Sequence, residues 1–264
     1  MLASNDMENC SGERLRVIGV VGGLGPFAGL DLVRKILRHT AARKDQEHLP
    51  LMLCSFPGKV PERPTFLLGQ SSENPGDAIG DIMCRLARGG AEVIGMPCNT
   101  AHSPGILDRA LEKLYRTSPE IRFISIIRSA VEHIRALQPA GGPVGLMGTE
   151  ATLRTGLYQN ALAEAGLEAV IPDGEDCELM QKAISDTRFG IKAFSDPVTQ
   201  EARTALLSVA QRLIAEKHVS LLLLGCTEIP LAVTETLFQD IPVVDATDAL
   251  ARELVRASCP ERLA

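Results

Sequence analysis

Two cysteines stand in matching settings. Pro97-Cys98-Asn99-Thr100-Ala101-His102 and Gly225-Cys226-Thr227-Glu228-Ile229-Pro230 each put a thiol just past a short apolar run, 128 positions apart. A thiol that ends a buried strand and opens a helix meets free N–H groups and partial positive charge. Both are expected to lower its pKa and favour the thiolate. Asn99, Thr100 and Thr227 add polar groups beside the sulfurs. One buried cysteine at a strand end is ordinary packing; a matched pair asks for more. Two equivalent thiols suit the removal of a proton from one face of a tetrahedral carbon and its return on the other. Thiol and thiolate exchange roles in the transfer, so such a site runs in both directions and makes the mirror-image centre.

The elements that must carry these thiols are legible as short, non-alternating apolar runs: Val17–Val21, Leu51–Cys54, Val93–Met96, Phe123–Ile127, Val144–Met147, Ala169–Ile171, Leu221–Leu224 and Val243–Val244. Runs of this kind are strands buried on both faces. The stretches between them have helical spacing, as in Leu30–Leu37, and Pro197–Lys217 reads as one long helix. Alternating strands and helices give β-α-β units and parallel sheets. The chain is also duplicated. IGVVGGLGP at Ile18 matches VGLMGTEAT at Val144, so Gly22 pairs with Gly148; Cys98 pairs with Cys226; ISIIRSAV matches VVDATDAL, so Ser125 pairs with Asp245. The expectation is an α/β protein of two similar, flavodoxin-like β-α-β domains with parallel sheets related by a pseudo-twofold axis. Residues 14–127 with 245–264 would form the first domain and residues 128–244 the second. Ligands of open parallel sheets bind beyond the carboxyl ends of the strands, which puts the site between the domains with the two sulfurs facing each other.

The chain has 264 residues, 45% apolar and 23% charged, with a net charge of −6. That is an ordinary globular composition. No run of Lys and Arg is longer than two, and aromatics are 3% with no Trp, which speaks against a nucleic-acid partner. No apolar run approaches the roughly 20 residues of a spanning helix. The polar start, MLASNDMENCSGERL, lacks the apolar core of an export signal. Seven cysteines without CxxC spacing are expected to be reduced thiols in the cytoplasm. Cys54, Cys84 and Cys177 read as packing residues, Cys10 and Cys259 as terminal bystanders.

Other chemistries compete. Gly23-Leu-Gly25-Pro-Phe-Ala28 fits a dinucleotide fingerprint, but the second strand ends Leu53-Cys54-Ser55 without the acid that holds a ribose. A tight turn and close approach of a substrate's backbone account better for these glycines. Cys98, His102 and Cys226 present weak zinc-ligand spacing, and Cys98 with His102 is a conceivable hydrolase nucleophile and base; the latter leaves Cys226 idle. A helix-start structural role for His102 is the plainer view. A two-lobed binding module would need no thiols at all.

GGLGPFAGLDLVRKI, PERPTFLLG, PCNTAH and GCTEIP together resemble the aspartate/glutamate racemase family, from about Arg16 to Val255. The resemblance implies two similar α/β domains with the active site between them, a homodimer, and a racemase of an acidic amino acid that uses neither pyridoxal phosphate nor a metal. It implies that Cys98 and Cys226 are the acid/base pair and that Asn99, Thr100 and Thr227 hold the α-carboxylate. Arg63 stands where the family's P-D-R-T segment has its carboxylate-binding Arg, with Pro64 in place of Thr; a guanidinium grips a carboxylate through two parallel N–H bonds. Lys192 in Phe189-Gly-Ile-Lys-Ala193 resembles a lysine that reaches an anionic side chain. Thr149 and Thr152 open the second half's first helix, where they line the cleft or cap the helix. Relatives that racemise hydantoins, isomerise maleate or decarboxylate arylmalonates share the scaffold, with cysteine motifs less like these.

Overall fold

The computed structural model describes residues 14–138 and 141–264; Cys10 and most of the polar lead-in lie outside them. Four strands, β1 (Ile18–Gly22), β2 (Leu51–Ser55), β3 (Val93–Gly95) and β4 (Arg122–Ile124), form a parallel sheet in the order β2-β1-β3-β4. Five more, β5 (Pro143–Met147), β6 (Glu168–Val170), β7 (Leu221–Leu224), β8 (Leu237–Phe238) and β9 (Ile241–Asp245), form a second sheet in the order β6-β5-β7-β9-β8. Without β8, which runs antiparallel to β9, both sheets have the order second-first-third-fourth. The repeat in the sequence is therefore a repeat in topology. The central strands are buried throughout, β1 over all five residues and β7 over all four, as expected where helices cover both faces.

Beyond shifts of a residue or two at strand ends, two boundaries and one strand differ from the sequence expectation. The run Phe123–Ile127 is not one strand: β4 stops at Ile124, and Ser125 caps a helix, Ile126–Leu137, by accepting from the Arg128 N–H. Ile126 and Ile127 are apolar because they form that helix's buried face. The long helix begins at Gln200, since Thr199 accepts from the Ala202 N–H at 3.1 Å, while Val198 pairs in an isolated bridge with Ser195. The two-residue β8 is too short to leave a periodic signal.

The last helix, Ala246–Ser258, packs on helix Pro26–His39 and on helix Ile126–Leu137. At its start is a buried charged triad. The Lys35 ammonium donates to Asp31, one turn back on its own helix, and to Asp245 at the end of β9. Asp245 also caps the last helix, accepting from the Thr247 N–H at 2.7 Å. Burial opposes the Lys35 charge, but the Asp245 and Asp31 carboxylates outweigh it and hold the amine protonated. The triad thus ties a helix of the first half to the carboxyl end of β9 in the second sheet.

Beyond β3 the chain turns through Thr100–His102 before helix Pro104–Thr117 begins. His102 closes that turn: its Nδ1 lies 2.8 Å from the Cys98 carbonyl oxygen, and its ring packs 5.7 Å from that of Phe123. Burial pulls the imidazole down to about 4, with the Cys98 carbonyl opposing only in part. The ring is neutral, with Nδ1–H donating.

Two stability predictions follow from these buried groups. Lys35→Met leaves two buried carboxylates uncompensated and is expected to cost about 3–5 kcal/mol in urea unfolding at pH 7; a loss below about 1 kcal/mol contradicts the ion-pair account. For His102 the folded-state value lies below the unfolded one, so protonation favours the unfolded chain. Its contribution is complete above pH 6.5 and is lost as pH falls toward 4. The native protein should lose about 3 kcal/mol more than His102→Gln between pH 7 and pH 4; parallel stability curves would show that the imidazole does not titrate as described.

Candidate active site

β3 and β7 are the third strands of their halves, and Cys98 and Cys226 lie beyond their carboxyl ends. Both thiols line one small cavity between the sheets. Arg63, Asn99, Thr100, Thr149, Lys192 and Thr227 line the same cavity, whereas Thr152 and His102 do not. Leu24, Pro64 and Glu228 complete the wall. The space is about 20 Å³, room for about one water molecule. A wider groove of about 480 Å³, edged by Arg34, His133, Leu137 and Asp248, holds neither cysteine.

Side-chain hydroxyls join the two halves across the cavity. Thr100 Oγ1 lies 3.0 Å from Thr152 Oγ1 and 3.3 Å from Thr149 Oγ1, and these two are 2.9 Å apart. Thr149 both lines the cavity and caps helix Glu150–Arg154, accepting from the Thr152 N–H at 3.2 Å. Tyr158, fully buried beneath Gly225, donates its hydroxyl to Asn99 Oδ1 at 2.7 Å. That bond fixes the amide and leaves Asn99 Nδ2 buried without a partner.

Arg63 opens a short helix, Arg63–Leu67. Its Nη2 donates to the Leu24 carbonyl at 3.1 Å, and its Nε is buried without a partner. Lys192 is exposed, in a turn anchored by its own N–H to Ile184 O at 3.0 Å, and reaches the cavity from the rim. Cys98 and Cys226 are only 5% and 4% exposed. The Cys226 thiol donates to Glu228 Oε2 at 3.1 Å.

Two expectations are corrected here. A helix start was expected to lower the thiol pKa. Instead the helix after Cys226 is the four-residue Ile229–Ala232, and the helix after Cys98 begins only at Pro104. Burial, and then the Glu228 carboxylate, push Cys226 well above the ordinary thiol value, with Lys192 pulling weakly the other way. The second correction concerns Gly23. At φ +87° its missing Cβ makes room for this chain's own backbone, 2.9 Å from Pro57 N, not for a ligand. His102 gives its Nδ1 to the Cys98 carbonyl and does not line the cavity, so it does not serve as base to the Cys98 thiol. Among the described residues, no three His, Cys, Asp or Glu side chains cluster as a metal site.

Glu228, Tyr158 and the bridging role of Thr152 escaped the sequence reading. Glu228 was signalled by its place two residues from a thiol, in a segment otherwise built of buried groups. Tyr158 carried no signal, because its contact with Asn99 spans 59 residues.

A profile of the Asp/Glu/Hydantoin racemase family matches residues 21–254. The broad specificity amino-acid racemase RacX of Bacillus subtilis is 23% identical over 244 residues, 90% of this chain and 96% of that protein. The aspartate racemase of Picrophilus torridus superposes with a TM-score of 0.75 at 29% identity, over 92% of this chain and 94% of that one. A glutamate racemase isoform from Bacillus anthracis shares the fold, with a TM-score of 0.63 at 20% identity over 92% and 81% of the two chains. With a family match spanning nearly the whole described fold, the chain belongs to the Asp/Glu/hydantoin racemase family.

Proposed function

We propose that this protein is a cofactor-independent racemase of an acidic amino acid, aspartate or glutamate, working by proton transfer between Cys98 and Cys226. The observation that carries the reading is that thiols from equivalent strand ends of two like halves line one small cavity, with Arg63 and Lys192 beside them. In one direction the Cys98 thiolate takes the α-proton. The electron pair of the broken C–H bond passes into the α-carboxylate, and the Cys226 thiol protonates the carbon from the opposite face. Cys98 ends as thiol and Cys226 as thiolate, ready for the reverse turnover. Burial and Glu228 favour the protonated form of Cys226, which suits it to the donor role at the start. Charge developing on the carboxylate meets Asn99 Nδ2, a buried donor without a partner, together with Thr100 and with Thr227 once its hydroxyl turns from Glu228 to the carboxylate. Arg63, with its unpartnered Nε, takes the side-chain carboxylate, and Lys192 closes over it from the rim. The same reading makes the enzyme a cytoplasmic homodimer acting on a small amino acid, without cofactor, metal, nucleic acid or membrane partner. Among the described residues no helix is long and apolar enough to cross a membrane.

Two measurements test this. Incubation with single enantiomers, followed by optical rotation, should show loss of optical activity with aspartate or glutamate; turnover of alanine but of neither acidic amino acid removes the substrate assignment. Cys98→Ser and Cys226→Ser should each lower racemisation by about 10²–10⁴-fold while substrate binding survives. In deuterated solvent, each variant should keep α-proton exchange for one enantiomer only. Near-normal racemisation by either variant removes that cysteine from the pair.

A further inference from the structure

Three polar atoms in the cavity wall are buried and lack a hydrogen-bond partner: Arg63 Nε, Asn99 Nδ2 and Glu228 Oε1. Two are donors and one is an acceptor. An orphaned buried polar atom costs about 1–3 kcal/mol, more for a charged group, so three in one cavity describe what the cavity is built to receive. Arg63 and Asn99 offer N–H groups to carboxylates, which the proposed reading already uses. Glu228 offers the reverse.

Among the described residues Glu228 is the only carboxylate in the cavity wall, and it is 6% exposed. Its Oε2 is occupied by Cys226 Sγ at 3.1 Å and Thr227 Oγ1 at 3.4 Å. Its Oε1 lies by the Leu24-Gly25 backbone, where a Cβ at Gly25 would sit 3.0 Å from it; no donor of the described residues meets it. Arg63 does not satisfy it: the guanidinium bond goes from Nη2 to the Leu24 carbonyl, and Nε meets no acceptor. An oxygen of this kind rejects a carboxylate by like charge and accepts an ammonium, which brings three donors. We propose that Glu228 Oε1 receives the substrate's α-ammonium, and that Glu228 is the residue that selects α-amino acids over carboxylates lacking the amine. This rests on the proposed racemase reading and extends it.

The charges agree with the assignment. Among the described residues the wall carries two cations, Arg63 and Lys192, and one anion, Glu228. A dicarboxylic amino acid carries two anions and one cation, so its net charge is opposite in sign to that of the wall, and its one cation has one anion to meet. A dicarboxylate without the amine leaves Glu228 facing nothing. Because Cys226 and the ammonium share one carboxylate, the group binding the amine also orients the thiol that serves the adjacent carbon. An ammonium kept charged beside Cα also stabilises the electron pair left when the α-proton departs.

Calorimetric titration of the whole protein with aspartate and with succinate tests the assignment, since binding is read without turnover. Glu228→Gln keeps shape and an acceptor but removes the charge. Aspartate should bind about 30-fold or more weakly to this variant, while succinate binds as well as to the native protein or better. The ratio of the two affinities is the readout, because a merely structural role for Glu228 moves both together. Equal loss for both ligands, or no change in either, overturns the ammonium assignment. Failure of the native protein to racemise aspartate and glutamate instead overturns the racemase reading, whatever the ratio does.

Discussion

Two thiols act on one carbon only if the loops carrying them are held at a fixed separation across the gap between two sheets. Here hydroxyl groups hold them. Thr100, in the first-half loop that carries Cys98, bonds to Thr149 and Thr152 at the start of the second half. Tyr158, also from the second half, bonds to Asn99 beside Cys98 and packs under Gly225 beside Cys226. These groups are buried, so water does not compete for them, and breaking one leaves an unsatisfied polar atom in the interior. The Lys35 triad does similar work farther off, binding a first-half helix to the end of β9.

That same burial sets the electrostatics. Removing Cys226 from water disfavours its thiolate, and the Glu228 carboxylate beside it disfavours it further. A buried thiol next to a carboxylate is an acid in waiting rather than a free nucleophile, which separates this site from cysteine hydrolases, whose thiol needs an adjacent base. His102 is not that base: desolvation keeps it neutral and its proton goes to a backbone carbonyl. Its service is to shape the turn that aims Cys98.

Much of the fold and site was legible because duplication is written in residue types. Buried parallel strands demand unbroken apolar runs, and two copies of a strand-cysteine-polar segment at an offset of 128 located both thiols. Arg63 and Lys192 were found through family resemblance, and each lies at the cavity. What misread were the places where local chemistry overrides pattern. Ser125 and Thr199 offer capping oxygens that move helix starts. The loops after β3 and β7 run several residues before a regular helix forms, so the dipole argument for a lowered thiol pKa lost its basis.

The sequence by itself determined the α/β class, the repeat, the two cysteines and the family's motifs, because these depend on periodicity and on residues close along the chain. Only the tertiary structure decided which polar atoms are satisfied and which are left over. Tyr158 meets Asn99, Thr100 meets Thr152, and Glu228 keeps one oxygen bare because elements far apart in sequence pack together. Desolvation is a property of the packed interior, so neither the protonation of Cys226 nor the exposed charge pattern of the cavity exists until the two sheets close on each other.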